Sequence, residues 1–240
     1  EIQIPCFQNK NPQPKNVFLY QAFIENGIWQ TERLDGCRIN DDFFLIKNDL
    51  VENNKIYFIS EKKNISLFSN NELKNLSGFT QTWPAFRANL KLFIKNGGFS
   101  SYQSEYPYSM IIKNGTILSP VNVLCNTEAD KNFIFVKNIY KQPKHEIFNG
   151  YLVDIKKKVV EEKFELKTNY SNLIELKKDL IKPEIFFTTE KYLGVPMFIS
   201  INKKHISFEH THPPHEYILS NNKFELIQKL KTEINEIINQ

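Results

Sequence analysis

The sequence predicts an all-β fold: two internally duplicated β-sandwich or jelly-roll-like units, closed by one C-terminal amphipathic helix. Three observations predict it. Short runs rich in Ile, Val, Phe, Tyr and Thr alternate with turns bearing Asn, Gly and Pro, which is the pattern of many short strands. A long internal offset lays one strand-turn-strand segment on another. Only the last stretch carries its apolar residues at the helical period.

Length and composition set the limits. A chain of 240 residues buries about three quarters of its unfolded surface. It holds either one large all-β domain or two small ones. The charged share of 24% and net charge of +4 come from scattered residues, with no basic run interleaved with aromatics, so no nucleic-acid partner is expected. No apolar run approaches the length of a membrane span, and Glu1-Ile-Gln-Ile-Pro5 does not read as a secretory leader. Three cysteines, Cys6, Cys37 and Cys125, make no disulfide framework and favour a cytoplasmic over a secreted setting. The acceptor sequences at Asn64, Asn75, Asn114 and Asn169 would matter only in a secreted protein.

Residues 1–16, with Pro5, Pro12 and Pro14, read as an extended lead-in. Residues 17–125 form the first β unit and 126–240 the second. Val17–Ile24 and Ile28–Leu34 flank Asn26-Gly27, a hairpin signal because both central residues of a type I′ turn need positive φ. Asp42–Ile46 and Lys55–Ser60 are further strands, and 67–76 is read as a helical turn. Leu90–Ile94, Phe99–Tyr106, Tyr108–Ile112, Phe133–Ile139, Tyr151–Ile155, Val159–Leu166, Ile185–Phe187 and Met197–Ile201 continue the series, with Lys156-Lys-Lys158 as a solvated hairpin tip. At the end Ile227, Leu230, Ile234, Ile237 and Ile238 recur at three and four. Asn222, three before Glu225, offers a capping-box start.

The duplication appears on sliding the chain by 107 positions. Leu92–Ser100 then falls on Ile199–Ser207, Pro107 on Pro214 and Ile111 on Ile218. With a one-residue shift Phe79-Thr80 falls on Phe187-Thr188. An ungapped match would keep the same side chains on the core face in both copies, packed about a pseudo-two-fold.

The densest chemistry lies at His210-Thr-His-Pro-Pro-His-Glu216, which holds three of the chain's 5 histidines. On a strand His210 and His212 share a face, and imidazole is a common transition-metal ligand. Glu216 can supply a third ligand to a divalent Zn, Fe, Ni or Mn ion, leaving positions open for catalysis. His215 is then a spare ligand or acid/base. His210, His212 and Glu216 resemble the first metal motif of the cupin family, with Lys204 and Lys223 where its bracketing glycines usually stand. The resemblance spans about a dozen residues and implies a β-barrel metal-dependent enzyme acting on a small or sugar substrate. His210-Thr-His212-Pro213 followed by Ser220 is also similar to the zinc motif of JAMM metalloproteases, with Lys223 where that family places its aspartate.

The alternative is a non-catalytic module that recognises a glycan or protein. Its candidate residues are Tyr102, Gln103, Glu105, Tyr106 and Tyr108 of the first copy. Aromatic faces interleaved with hydrogen-bonding groups suit a carbohydrate or small ligand. His145, His205, Trp29 and Trp83 are expected to be packing or surface residues.

Overall fold

In a computed structural model of the chain, the described residues are 1–6, 16–60, 68–69, 71–73, 87–104, 115–123, 125–210 and 218–240. The first part contains β1 (Ile2–Pro5), β2 (Phe18–Glu25), β3 (Ile28–Arg33), β4 (Phe43–Ile46) and β5 (Ile56–Ser60). A ribbon of β6 (Phe68–Ser69) and β7 (Glu72–Leu73) follows, then β8 (Ala88–Phe93) and β9 (Phe99–Ser104). The second part contains β10 (Leu118–Pro120), β11 (Lys131–Asn138), β12 (Ile147–Asp154), β13 (Val159–Lys167) and β14 (Tyr170–Leu176). It closes with β15 (Ile185–Thr189), β16 (Val195–Asn202), β17 (His205–His210) and helix α1 (Lys223–Ile238).

The strand orders repeat. One sheet of the first unit runs β4-β1-β8-β9 and its second-unit counterpart runs β14-β11-β16-β17. The companion sheets run β3-β2-β5 and β13-β12-β15, with β10 added outside β15. In chain order β1 to β5, β8 and β9 therefore correspond to β11 to β17. Local backbone bonding repeats as well. Leu50 and Val51 donate to Lys47 and Asn48 at 3.0 and 3.3 Å, as Leu180 and Ile181 do to Lys177 and Lys178 at 3.1 and 3.2 Å. Lys55 donates to Glu52 at 3.3 Å, and Ile185 to Lys182 at 3.1 Å. These short helical turns join β4 to β5 and β14 to β15, and their sequences match without a gap: Ile46-Lys-Asn-Asp-Leu-Val51 on Leu176-Lys-Lys-Asp-Leu-Ile181.

The duplication is real, but the expected alignment is out by one on one strand. In the first hairpin five residues, 94–98, separate the paired Phe93 and Phe99. In the second, four residues, 202–205, separate the paired Ile201 and Ile206. Leu90 pairs with Ile2, which pairs with Ile46, so Leu90 and Leu92 face the first core. In the second unit Phe198 faces the core, whereas Ile199 points away from it beside Phe208. Leu92 therefore corresponds in facing to Phe198 or Ser200, not to Ile199. A one-residue slip reverses every side chain of a strand, and residue identity alone does not register that. Phe79-Thr80 lies outside the described residues, and the strand equivalent to β15 is β5.

Other expectations are also revised. Residues 2–5 are an internal strand between β4 and β8; four residues are too few to show an alternation. Leu118–Pro120 falls within the span assigned to the first unit but pairs with β15 of the second. It has β15 as its one neighbour in the sheet, and an edge position tolerates Pro120. The stretch read as a helical turn contains the β6–β7 ribbon, with Asn71 at φ 62°. β14 had no counterpart among the expected strands. Its Asn172, Ile174 and Leu176 are buried and Leu173 and Glu175 exposed. Asn26 and Gly27 take φ of 50° and 72°, as the hairpin requires. α1 begins after Asn222, but Asn222 makes no side-chain cap bond and its Oδ1 accepts instead from Ser220 Oγ.

Each unit has its own core. The second is built on Phe148, Leu152, Leu166, Phe187, Phe198, Ile134 and Val136. Among the described residues, the first contains Ile4, Leu19, Phe44, Ile46 and two cysteines, Cys6 and Cys37. α1 lays Ile234 and Ile237 on Leu118, Tyr151 and Val153, covering the outer face of the β10-β15-β12-β13 sheet. All three cysteines are free, and burial pushes the Cys125 thiol up to about 12. No helix among the described residues is long and apolar enough to cross a membrane.

Candidate functional site

The two units meet on the outer face of the β14-β11-β16-β17 sheet. On this face the odd-numbered β11 residues Phe133, Phe135 and Lys137 are half-buried. They share it with Ile199 and Phe208. Along the β17 edge the first unit's hairpin docks. Gly98 N–H donates to Lys204 O at 2.7 Å, joining the two hairpin turns. A Cβ on Gly97 would stand 2.9 Å from that same carbonyl, so the approach needs glycine. Beyond the turn, the Tyr102 ring packs edge-on against Phe208 (5.7 Å between centroids) and His210 (4.6 Å).

That contact brings together one residue from each of the two sequence-predicted sites. Tyr102 and His210 are half-buried and Gln103 is exposed. Phe208 is 1% exposed and seals the base of the contact. His212, His215 and Glu216 lie outside the described residues, as do Glu105, Tyr106 and Tyr108. Among the described residues no group of three or more His, Cys, Asp or Glu is placed to hold a metal.

Along the β14 edge the turn 52–55 of the first unit docks. Lys137 Nζ donates to Lys55 O at 2.6 Å, to Asn53 O at 3.2 Å and to Ser171 Oγ at 3.2 Å. Ser171 N–H also donates to Asn53 O, at 2.8 Å. Burial pushes the Lys137 amine down to about 8, while the three oxygens hold its proton in place. Between the edges Trp29 Nε1 and Leu73 N–H both donate to Lys141 O at 2.9 Å, and Ala22, Trp29, Leu73 and Ile139 form a small apolar cluster. Trp29 is thus a packing residue, as expected. The contact is not reciprocal: in the second unit the equivalent turn bonds within its own unit, Glu184 O accepting from Ile155 N–H at 3.1 Å. The two units are therefore not related by a two-fold across this seam.

Two carboxylates of the second unit are strongly committed. Glu146 accepts from Lys144, Lys191 and Tyr192, and these bonds hold its carboxyl down to about 2. Burial, then the hydrogen bond to Glu146, pushes the Tyr192 hydroxyl up. Burial alone would raise Asp154, but the Lys157 and Lys156 backbone N–H groups and the Lys157 ammonium outweigh it, so its carboxyl lies below the usual range. His145 Nδ1 donates to Thr168 O at 3.0 Å, and His205 is exposed at the start of β17. Asn169 is fully buried, with Nδ2 donating to Gln142 O and Lys144 O at 3.0 and 3.1 Å, so the folded chain cannot present its acceptor sequence for glycosylation.

Sequence reasoning missed Lys137 and the turn at Asn53-Asn54. A single lysine in an alternating strand carries no signal of its own. The repeat of Lys-x-Asp-Leu around Asp49 and Asp179 would have located the turn. Fold and seam define the molecule as a tandem β-sandwich protein. No known protein family, curated protein or solved structure matches the chain.

Proposed function

We propose that this chain is a non-catalytic recognition module for glycans, with its binding surface around Tyr102 and His210; Gln103 projects from the opposite face of β9. The observation that carries this reading is the 4.6 Å contact between the Tyr102 and His210 rings. It turns two separate candidate segments into one surface with aromatic rings and an imidazole. Rings packed on Phe208 are held rigidly, which lowers the entropy cost of stacking a sugar on them. A glycan array probed with the wild type and with Tyr102→Ser and Tyr102→Phe tests it. Binding that weakens in Tyr102→Ser but persists in Tyr102→Phe is expected, since only the latter keeps the ring. Array signals identical in all three proteins would end the reading.

A second reading keeps a divalent transition metal on His210, His212 and Glu216, with His215 as acid/base. It is favoured by the packing of Tyr102 on His210, because ligand imidazoles work best when a neighbour fixes their orientation. Elemental analysis of untagged protein decides. Stoichiometric metal lost in His210→Ala/His212→Ala supports a metal-dependent activity on a small or sugar substrate, and metal-free protein excludes it.

A further inference from the structure

The seam contains a second feature at the opposite edge of the same sheet. From β17 to β14 is three strand spacings, roughly 14 Å, so this feature is separate from the Tyr102–His210 surface. It is an open cleft of about 410 Å³ lined by Val51, Glu52, Asn53, Asn54 and Tyr170. Its two walls come from different units: the turn after the first short helix, and the first residue of β14. The Asn53 carbonyl is bonded to Lys137 and Ser171, so the backbone of this turn is fixed. Among the described residues the Asn53 and Asn54 amides and the Tyr170 hydroxyl have no hydrogen-bond partner. Glu52 pairs with Lys55 at 2.6 Å through Oε1. His145 stands edge-on to the Tyr170 ring at 6.2 Å, and the Lys167 ammonium lies 5.5 Å from its centroid, so the ring is braced.

The internal repeat shows that the fold does not need these residues. Glu52, Asn53 and Asn54 fall on Lys182, Pro183 and Glu184, which make the same turn with the same backbone bond. Two unengaged amides and a phenol facing one volume are therefore a departure from the repeat. Planar amides, a carboxylate oxygen and a phenol on a rigid frame match the dense hydroxyls of a sugar.

We propose that the cleft between the units is a carbohydrate-binding site for a neutral mono- or disaccharide unit, with Asn53, Asn54 and Tyr170 as its hydrogen-bonding residues. It is independent of the Tyr102–His210 reading, and each can fail alone. The probes are maltotriose, cellotriose, mannotriose and N,N′,N″-triacetylchitotriose, titrated into isotopically labelled full chain and followed by amide chemical shifts. At least one saccharide is expected to shift Asn53, Asn54 and Tyr170. Its affinity should fall about tenfold in Asn54→Ala. Asn54→Ala removes a turn side chain with no partner, so its fold is expected to be intact, and an unchanged amide spectrum elsewhere verifies that. No shift at these residues with any of the four sugars overturns the proposal. So does binding that is indifferent to Asn54→Ala.

Discussion

The two units share a strand order, a helical turn and even individual backbone bonds, yet they are not equally built. The second buries Phe148, Leu152, Phe187 and Phe198 to 1% exposure or less and has α1 across its outer sheet. In the first, Tyr57 takes the inward β5 position, half-buried, its hydroxyl donating to Leu50 O at 2.6 Å. Leu50 itself is 40% exposed where its counterpart Leu180 is 6%. At these matched positions one topology is thus filled in two ways, apolar and fully buried in one copy, partly polar and more exposed in the other. The first copy supplies the loops that dock on the seam. The difference teaches that the repeat specifies backbone path, while side-chain volume decides which copy acts as the anchor.

The largest test of that comparison is Phe187→Ala against Tyr57→Ala. Emptying the fully buried site should cost about 3–5 kcal/mol and the half-buried one roughly half of that. Urea titrations of both variants measure it, and equal losses would show that the cores are equivalent after all. Next comes Ile234→Ala on α1, expected to cost about 2–3 kcal/mol by uncovering Tyr151 and Val153. A negligible change in unfolding midpoint would mean that the helix is dispensable to the second unit.

The tie between the units is addressed by Lys137→Met, which leaves the Asn53 and Lys55 carbonyls without this donor and should cost about 1–3 kcal/mol. The sign of its pH dependence follows from the lowered pKa. Below about 8 the amine is charged in both folded and unfolded chains, and the cost of burying the charge is present in full. As pH rises from there toward the ordinary value of 10.5 the folded chain sheds its proton first, so the wild type gains stability relative to the variant. A midpoint difference that stays flat over this window contradicts the assignment.

The smallest effect belongs to Glu146, a second-unit carboxylate whose side chain is 26% exposed and therefore screened. Its folded pKa is depressed. Its stabilisation is present above the ordinary carboxylate value of 4.5 and is lost as pH falls toward about 2. Glu146→Gln should flatten that part of the acid-unfolding curve, and an unchanged curve would remove Glu146 from the account.

Much of the strand set was legible because period-two alternation and Asn-Gly turns act locally. Phe18–Glu25, Ile28–Arg33 and the stripe of α1 follow from spacing alone. β14 escaped because Asn172 faces inward, where it bonds the backbone at Lys167, Tyr170 and Val136, so the apolar pattern is broken by a buried amide. The candidate site was half legible. Tyr102 and His210 were both singled out, but as rivals, since 108 positions separate them (210 − 102).

By itself the sequence determined the all-β class, the duplication and the terminal helix, because those depend on local periodicity and on matches readable along the chain. Tertiary structure alone decided the phase of the repeat, the burial of Lys137 between units and the meeting of Tyr102 with His210. Each depends on which face of a strand is turned inward and on what packs over the other. A one-residue difference in a turn sets the first, and contacts between residues distant in sequence set the second.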